Sequence, residues 1–269
     1  MKLALISLSA AGARIAVRVA KGWGLAAPWA GDAPCEIFLH ADATGLPEAT
    51  RFQSVVELTR EVFPRFDGLV YVAPVGLVVR AVAPCLRHKT TDPGVVVVDI
   101  GARWAVSLVG GHEGGANALA FAVANILGAE PVVTTSTEAA KDLIVGVGCR
   151  RGAEADAIVA AVEEALAAAG CELARVRMIA SADLKAEEAG LLAAAQRLGV
   201  PLRLVASEEL RNTTREFQRS PRVQEKVNLP AVAEPAALLA GRRTQLLLPK
   251  TTLHGVTVAI ARENSTPSA

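Results

Sequence analysis

The residues best suited to do chemistry lie in a glycine-rich loop around His112. The loop reads Gly110-Gly111-His112-Glu113-Gly114-Gly115-Ala116-Asn117, and a predicted helix starts at its end. Glycine lets the backbone expose an imidazole and lets a ligand approach the main chain. Because histidine exchanges protons near neutral pH, we predict that His112 is a catalytic acid/base. The alternative is a turn histidine with no chemical role.

The neighbours of His112 extend this candidate site. Glu113 is a second candidate acid/base, or else a solvated loop charge. Gly111, Gly114 and Gly115 are candidate substrate-binding residues, because amide groups at the start of a helix can hold an anion or an oxyanion. Asn117 either orients a substrate carbonyl or faces solvent.

A basic segment precedes the loop. Arg80 lies on an otherwise apolar predicted helix, where a charge must be exposed, paired or turned towards a ligand. Lys89, Thr90 and Thr91 follow in a polar loop, where the hydroxyls cradle a carboxylate or cap a turn. With Arg87, these cations suit a substrate that carries several carboxylates. The alternative is a solvated basic loop.

Asp99 follows the run Val95–Val98, which has the pattern of a strand buried on both faces. In open α/β sheets, ligands bind at the carboxyl ends of strands. Asp99 is therefore a candidate catalytic base, or else it caps the turn at Gly101. We expect Asp99, the basic loop and the His112 loop to form one wall of a single cleft.

Other reactive side chains are weaker candidates. Arg150, Arg151 and Lys185 could form a second carboxylate-binding patch at a helix start. Cys149, beside the arginines, could have a lowered pKa as a nucleophile, but no histidine is near it in sequence.

The remaining histidines and two further motifs argue against other activities. His40, His88 and His254 are expected to be structural. A serine hydrolase is disfavoured because the chain has no G-x-S-x-G motif. The third glycine of a dinucleotide fingerprint starting at Gly146 falls on Arg151, which disfavours a nucleotide-binding protein.

Composition limits the class of protein. The 269 residues are 52% hydrophobic but only 4% aromatic, which favours alternating α/β domains with small aliphatic cores. A net charge of +1 gives no support for nucleic-acid binding. The four cysteines have no C-x-x-C spacing, so we expect reduced thiols in a cytoplasmic protein and no metal cage. No apolar run is long enough to span a membrane, and the amino terminus is predicted to be a buried strand.

The predicted fold is α/β, with two domains that each contain a mainly parallel sheet flanked by helices. We place these domains at 1–136 and 143–262. Predicted strands span 2–8, 36–39, 69–73, 95–98, 103–108 and 131–135, then 143–147, 176–180, 202–205, 245–248 and 255–260. Predicted helices span 10–20, 50–63, 74–84, 116–127, 153–169, 185–198, 208–212 and 232–240.

Some local expectations go with this fold. Strand 103–108 should pair with 95–98 in a hairpin through Gly101. Thr50 and Ser207 should cap helices, and Gly128 should end one. Residues 213–228 should form an irregular, mobile loop, and the tail from Arg262 should be disordered.

Several of these segments resemble, in the same order, the CbiG family of cobalamin-biosynthesis proteins. In the first half they are Arg80–Pro84, Lys89–Pro93, Val95–Asp99, Gly111–Asn117 and Pro131–Thr135. In the second half they are Gly146–Gly152, Asp183–Lys185 with Glu188 and Gly190, Ser220–Val223, and Pro249-Lys250 with Gly255–Ala259. The resemblance covers nearly the whole chain. One departure is that family members usually carry a middle segment, whereas residues 135–143 here form only a short connector.

The resemblance implies a cobalt-precorrin-5A hydrolase of the oxygen-independent pathway, which opens a δ-lactone and releases acetaldehyde to give cobalt-precorrin-5B. The family does not assign a catalytic residue, so the roles are inferred from the residues: we expect His112 to activate water or shuttle protons, and Arg80, Lys89 and Arg150 to hold the acidic arms of the macrocycle. Cobalt would come with the substrate, so we expect no cofactor and no protein metal site. Contacts with other pathway enzymes and a homodimer are left open. The alternative function is a corrinoid carrier without catalysis.

Overall fold

The chain folds into two compact units, Met1–Thr135 and Ser136–Ala269. A computed structural model describes residues 1–27 and 34–264. Within those residues, no helix is both long enough and apolar enough to cross a membrane.

The first unit consists of a seven-stranded sheet with helices on both faces. Its strands are β1 (Leu3–Ser7), β2 (Cys35–His40), β3 (Thr50–Phe52), β4 (Gly68–Val72), β5 (Gly94–Val98), β6 (Trp104–Val109) and β7 (Glu130–Val132). Its helices are α1 (Ala10–Ala26), α2 (Val55–Val62), α3 (Val75–Val82) and α4 (Ala116–Leu127), and Gly128 caps α4 as predicted.

The strand order is β3-β2-β1-β4-β5-β6-β7. Neighbouring strands are parallel except for β5 and β6, which pair antiparallel from Val98 opposite Ala105 to Val95 opposite Val109. This confirms the predicted hairpin and a mainly parallel sheet. Because β6 is antiparallel to β5, the loop after β6 lies at the end of the sheet where β5 begins.

The valine run of β5 is apolar throughout because both faces of the strand are covered. Val96 and Val98 pack in the same cluster as α1 and α4 residues, whereas Val95 and Val97 pack in the cluster that contains α2 and α3 residues. Since successive side chains of a strand point to opposite faces, this alternation places the two helix layers on opposite sides of the sheet.

The start of α2 corrects one prediction. Thr50 does not cap a helix; it begins the short strand β3. The cap is Ser54, whose side-chain oxygen accepts a hydrogen bond from the amide of Glu57. Phe52 is buried, as a helix face would require, so apolar spacing alone did not distinguish the two structures. Helix α1 also continues six residues past the predicted end at residue 20, to Ala26.

The second unit contains a five-stranded sheet in the order β10-β9-β8-β12-β11. Its strands are β8 (Leu143–Gly148), β9 (Val176–Ala182), β10 (Leu202–Val205), β11 (Thr244–Leu253) and β12 (Val256–Glu263). Its helices are α5 (Ser136–Ala139), α6 (Ala155–Ala168), α7 (Ala189–Leu198), α8 (Ser207–Asn212), α9 (Pro221–Val227) and α10 (Ala233–Leu239). Strands β8, β9 and β10 are parallel, and β12 is antiparallel to β8 and β11. The predicted α/β class is confirmed.

Helix α10 packs closely against the middle of β8. A methyl group added at Gly146 would overlap the backbone carbonyl of Ala233. Glycine is therefore needed at this position because helix and strand backbones approach each other.

The predicted loop at 213–228 is wrong in its second half, which forms α9. The segment is also tied to the unit through the buried carboxylate of Glu234. This carboxylate accepts hydrogen bonds from the amides of Gln218 (2.6 Å) and Lys250 (2.8 Å). The Lys250 ammonium donates to the carbonyl oxygens of Gln218 and Arg219.

Two further predictions in this unit need correction. Ser207 is the first residue of α8 and makes no capping bond; its hydroxyl donates to the carboxylate of Asp183 instead. Arg262 belongs to β12, so the predicted disorder is wrong there. Residues 265–269 lie outside the described residues.

Candidate functional site

The His112 loop connects β6 to α4 and exposes both His112 and Glu113. Its glycines permit a close approach to the start of β5. A Cβ atom at Gly114 would lie 2.8 Å from the carbonyl oxygen of Asp92, and one at Gly94 would lie 2.6 Å from that of Gly114. The glycine pattern thus has a packing cause that does not depend on catalysis.

The basic loop and the His112 loop meet in an ion pair. Lys89 Nζ lies 2.9 Å from Glu113 Oε1, and both side chains are exposed. The hydrogen bond from Lys89 is the main cause of a lowered pKa at Glu113. Glu113 is therefore ionised near neutral pH and cannot serve there as a proton donor.

The two threonines of the basic loop are engaged within it. Thr90 Oγ1 lies 2.8 Å from Nδ1 of His88, and Thr91 Oγ1 donates to the carbonyl of His88 at 3.2 Å. The carboxylate of Asp92 accepts from the amide of Arg87 at 3.0 Å. These contacts favour turn capping over the carboxylate cradle that the sequence left open.

The start of α4 offers fewer amides than we predicted. The amide of Gly115 donates to His112 at 3.3 Å, that of Ala116 to Gly110 at 3.0 Å, and that of Asn117 to Gly111 at 2.9 Å, all onto carbonyl oxygens. The prediction that the Gly115 amide is free for an oxyanion is wrong, because the loop folds back on the helix. The amide of Gly114 remains as a donor in this part of the described chain.

Asn117 holds three elements together. Its Oδ1 accepts from the hydroxyl of Ser107 at 2.8 Å, and its Nδ2 donates to the hydroxyl of Thr135 at 3.0 Å. A Cβ atom at Gly111 would lie 3.1 Å from the same Oδ1. Asn117 therefore fixes β6, α4 and the segment after β7 beneath the His112 loop.

Asp99 does not share a wall with His112. It follows β5 at the carboxyl end, whereas the His112 loop packs on Gly94 at the amino end, about 16 Å away for a five-residue strand. The predicted single cleft wall is wrong because the β5–β6 hairpin reverses the chain direction.

The carboxylate of Asp99 organises the hairpin turn. It accepts from the amides of Gly101 (3.1 Å), Arg103 (2.7 Å) and Trp104 (2.9 Å), and from Nε of Arg103 (2.9 Å). Desolvation raises the pKa of Asp99, but the hydrogen bonds from Trp104, Arg103 and Gly101 outweigh it and lower the pKa. A carboxylate so stabilised is a weak base, which favours the turn-capping alternative.

Arg80 lies exposed in the last turn of α3 and has no ion-pair partner among the residues described. In the second unit, Arg150 and Arg151 are exposed in the loop after β8, also without an ion-pair partner in the described ranges. Their guanidinium groups are available for a carboxylate.

Lys185 differs from these arginines because its ammonium group is already paired with a carboxylate of the protein. Its Nζ lies 3.0 Å from Oε2 of Glu188, and the two side chains are only 11% and 9% exposed. Oε1 of Glu188 accepts from the amide of Gly152 at 2.7 Å. The pair therefore anchors the loop that presents Arg150 and Arg151, a role for Glu188 that sequence spacing did not indicate.

Cys149 lies beside this pair, but its pKa is raised. Burial is the main cause and outweighs the effect of Lys185. The lowered pKa considered from the sequence is wrong, and Cys149 is a protonated thiol near neutral pH.

The other histidines have local partners. Nε2 of His40 lies 2.9 Å from the carbonyl oxygen of Gln53, and Nε2 of His254 lies 2.9 Å from a carboxylate oxygen of Glu164. Within residues 1–27 and 34–264, no group of three or more His, Cys, Asp or Glu side chains is arranged to hold a metal ion.

A cleft of the first unit, between the ends of β1 and β4, was missed from the sequence. It lies where β1 and β4 are neighbours and their connections leave in opposite directions, which is the usual ligand position in open α/β sheets. Its volume is about 510 Å³. Leu8 and Ser9 after β1, Ala73 and Pro74 after β4, and Asp99 after β5 line it. The signal in the sequence was the β-α-β-α-β order, which creates such a crevice.

These features define an α/β protein of two units, each with charged side chains at a sheet edge, as in small-molecule-binding proteins and enzymes. The profile described as Cobalamin synthesis G N-terminal matches residues 57–138, and that described as Cobalamin synthesis G C-terminus matches 143–261. The two matches take in most of the chain. The chain belongs to the CbiG family, which confirms the resemblance.

Curated relatives agree with this assignment. Cobalt-precorrin-5A hydrolase of Salmonella typhimurium is 43% identical over 79 residues, which are 29% of this chain and 22% of that protein. Cobalt-precorrin-5A hydrolase of Priestia megaterium is 41% identical over 98 residues, 36% of this chain and 26% of that protein. Protein CobE of a Sinorhizobium species is 37% identical over 128 residues, 47% of this chain and 83% of that protein. The matched segments span about a quarter of the length of the two hydrolases.

Proposed function

We propose that the protein is a cobalt-precorrin-5A hydrolase that opens the δ-lactone of its substrate and releases acetaldehyde, giving cobalt-precorrin-5B. The observation that carries this proposal is the presence of both CbiG parts, in order, in one chain. The N-terminal match includes the whole His112 loop. Two relatives that bear the hydrolase name are over 40% identical in the segments they share with this chain.

In this proposal His112 moves the protons. Its imidazole is exposed on a loop that Gly94, Gly114 and the Lys89–Glu113 pair hold in place. His112 takes a proton from water, and the resulting hydroxide adds to the lactone carbonyl. The ring C–O bond then breaks and leaves a carboxylate and a hydroxyl. The amide of Gly114 is positioned in the same loop to donate to the oxyanion.

The hydroxyl formed by lactone opening allows the second step. When it loses its proton, the carbon that bears it becomes the carbonyl carbon of acetaldehyde. The C–C bond to the macrocycle breaks, and its electron pair stays on the macrocycle, which takes up a proton. Water is the only other reactant, so no redox partner is needed.

The cations of the first unit suit the acidic arms of the macrocycle. Arg80 has no carboxylate partner among the described residues, and Lys89 has an exposed ammonium group that Glu113 shares. Arg150 and Arg151 give the second unit a cationic surface of the same chemistry. Cobalt arrives within the substrate, so the proposed reaction needs no resident cofactor, and we place it in the cytoplasm.

The proposal is tested by mixing the purified protein with cobalt-precorrin-5A and following acetaldehyde with alcohol dehydrogenase and NADH. We expect one acetaldehyde per macrocycle, together with the mass change of the macrocycle that loss of this fragment and uptake of water produce. Tight binding of the macrocycle without any acetaldehyde would contradict the proposal and would indicate a carrier.

A further inference from the structure

The cleft between the carboxyl ends of β1 and β4 has one polar wall. Arg103 and Asp99 form that wall, and Asp99 Oδ2 holds Arg103 through Nε at 2.9 Å. In the part of the chain that the structure describes, the two terminal nitrogens of Arg103 make no hydrogen bond or ion pair. Asp99 thus orients the guanidinium and leaves its outer fork unoccupied, the geometry in which arginine binds a carboxylate with two hydrogen bonds.

The rest of the lining is apolar except for Ser9, and three of its large apolar side chains are exposed. Trp104 is 39% exposed, Ile100 54% and Val75 49%, and all three line the cleft. Large apolar side chains that surround a concave site of about 510 Å³ favour a ligand with a flat apolar body. The main chain of Trp104 is fixed at this wall because its amide donates to Asp99 at 2.9 Å.

We propose that this cleft is a second corrinoid-binding site, at the opposite end of the sheet from His112, which takes one pyrrole-derived ring of the macrocycle together with its acidic arm. The ring packs on Trp104 and Ile100, and the carboxylate of the arm binds the terminal nitrogens of Arg103. Asp99 is a positioning residue that acts through Arg103. The identity of the ligand rests on the proposed function, whereas the chemistry of the cleft does not.

The test is calorimetric titration with two corrins: cobyrinic acid, whose arms end in carboxylates, and its all-amide derivative. The wild type should bind the acid at least about tenfold more tightly than the amide, because the amide cannot pair with the guanidinium. Arg103→Gln should reduce this preference, because the other cations that are proposed to hold the acidic arms remain, and Trp104→Ala should weaken both corrins about tenfold. Trp104→Phe should restore most of the binding.

Arg18→Gln is the matched control, because Arg18 is an exposed arginine on α1 that does not line the cleft. Equal affinities of the Arg103→Gln and Arg18→Gln variants for cobyrinic acid, with unfolding temperatures as in the wild type, would overturn the inference. A loss of affinity for cobyrinic acid in Arg103→Gln, with the wild-type KM for cobalt-precorrin-5A, would support the second site and leave the proposed function standing. An acid preference that depends on Arg103, in a wild type that releases no acetaldehyde, would support the second site and contradict the hydrolase.

Discussion

Lys89 and Glu113 are 24 positions apart in the sequence, yet their charged atoms lie 2.9 Å apart. This ion pair joins the basic loop to the His112 loop, near the amino-terminal end of β5. It therefore defines a surface that carries an imidazole, an ammonium group and a carboxylate, whereas Asp99 lies at the opposite end of β5.

The pairing of Glu113 gives the first prediction. Because Glu113 is ionised by its contact with Lys89, it does not donate a proton, and Glu113→Gln should change the rate of acetaldehyde release less than about threefold. Because both side chains of the pair are exposed, it should contribute little to the free energy of unfolding. Steady-state kinetics and urea titration measure both quantities. A hundredfold loss of rate in a folded variant would instead place Glu113 in the chemistry.

A second prediction concerns acid and Asp99. The folded-state pKa of Asp99 is lowered, so its carboxylate stabilises the fold above the unfolded value of about 3.9. That contribution is lost as the pH falls through the lowered pKa. Asp99→Asn should therefore reduce the free energy of unfolding at pH 7 by about 1–2 kcal/mol.

The difference between wild type and Asp99→Asn should shrink as the pH falls below the unfolded value of about 3.9 and through the lowered folded-state pKa of Asp99. Urea titrations at several pH values measure it. A difference that is the same at pH 7 and pH 3 would show that the charge of Asp99 does not stabilise the hairpin turn.

The third prediction concerns the buried pair Lys185–Glu188. Glu188→Gln leaves the ammonium of Lys185 without its counter-charge at an almost fully buried position, which should cost about 3 kcal/mol. The exposed pair of Arg197 and Asp156 is the matched control, and Asp156→Asn should cost less than about 1 kcal/mol. Similar unfolding free energies for the two variants would argue against an anchoring role for Glu188.

The fourth prediction uses two glycines with opposite surroundings. Gly146→Ala should destabilise the second unit by at least about 3 kcal/mol, because the added methyl group meets the carbonyl of Ala233. Gly24→Ala, in helix α1 with open space around it, should stabilise the first unit by up to about 1 kcal/mol. Thermal unfolding of both variants checks the signs. A Gly146→Ala protein as stable as the wild type would contradict the close packing of α10 on β8.

The sequence predicted the local structure well where a pattern has one physical explanation. The valines of β5, the hairpin turn at Gly101 and the cap at Gly128 fall into this group. It failed where two structures bury the same residues, as at Phe52, and where tertiary contacts order a polar stretch, as at α9.

The candidate site was predictable only in part. Exposure of His112 follows from its glycine loop, but the tight packing of Gly114 on Asp92 is a non-local contact that no spacing reveals. The antiparallel direction of β6 decides which loops can meet. This direction places the His112 loop and Asp99 at opposite ends of β5, a separation that only the assembled sheet reveals.

The most direct test of the account is acetaldehyde release from cobalt-precorrin-5A by His112→Ala beside the wild type. His254→Ala serves as the matched control, because His254 is an exposed histidine that contacts Glu164 and lies outside the proposed site. The account predicts that His112→Ala binds the macrocycle but releases acetaldehyde at least about 100-fold more slowly, while His254→Ala retains the wild-type rate. Equal rates for all three proteins would contradict it.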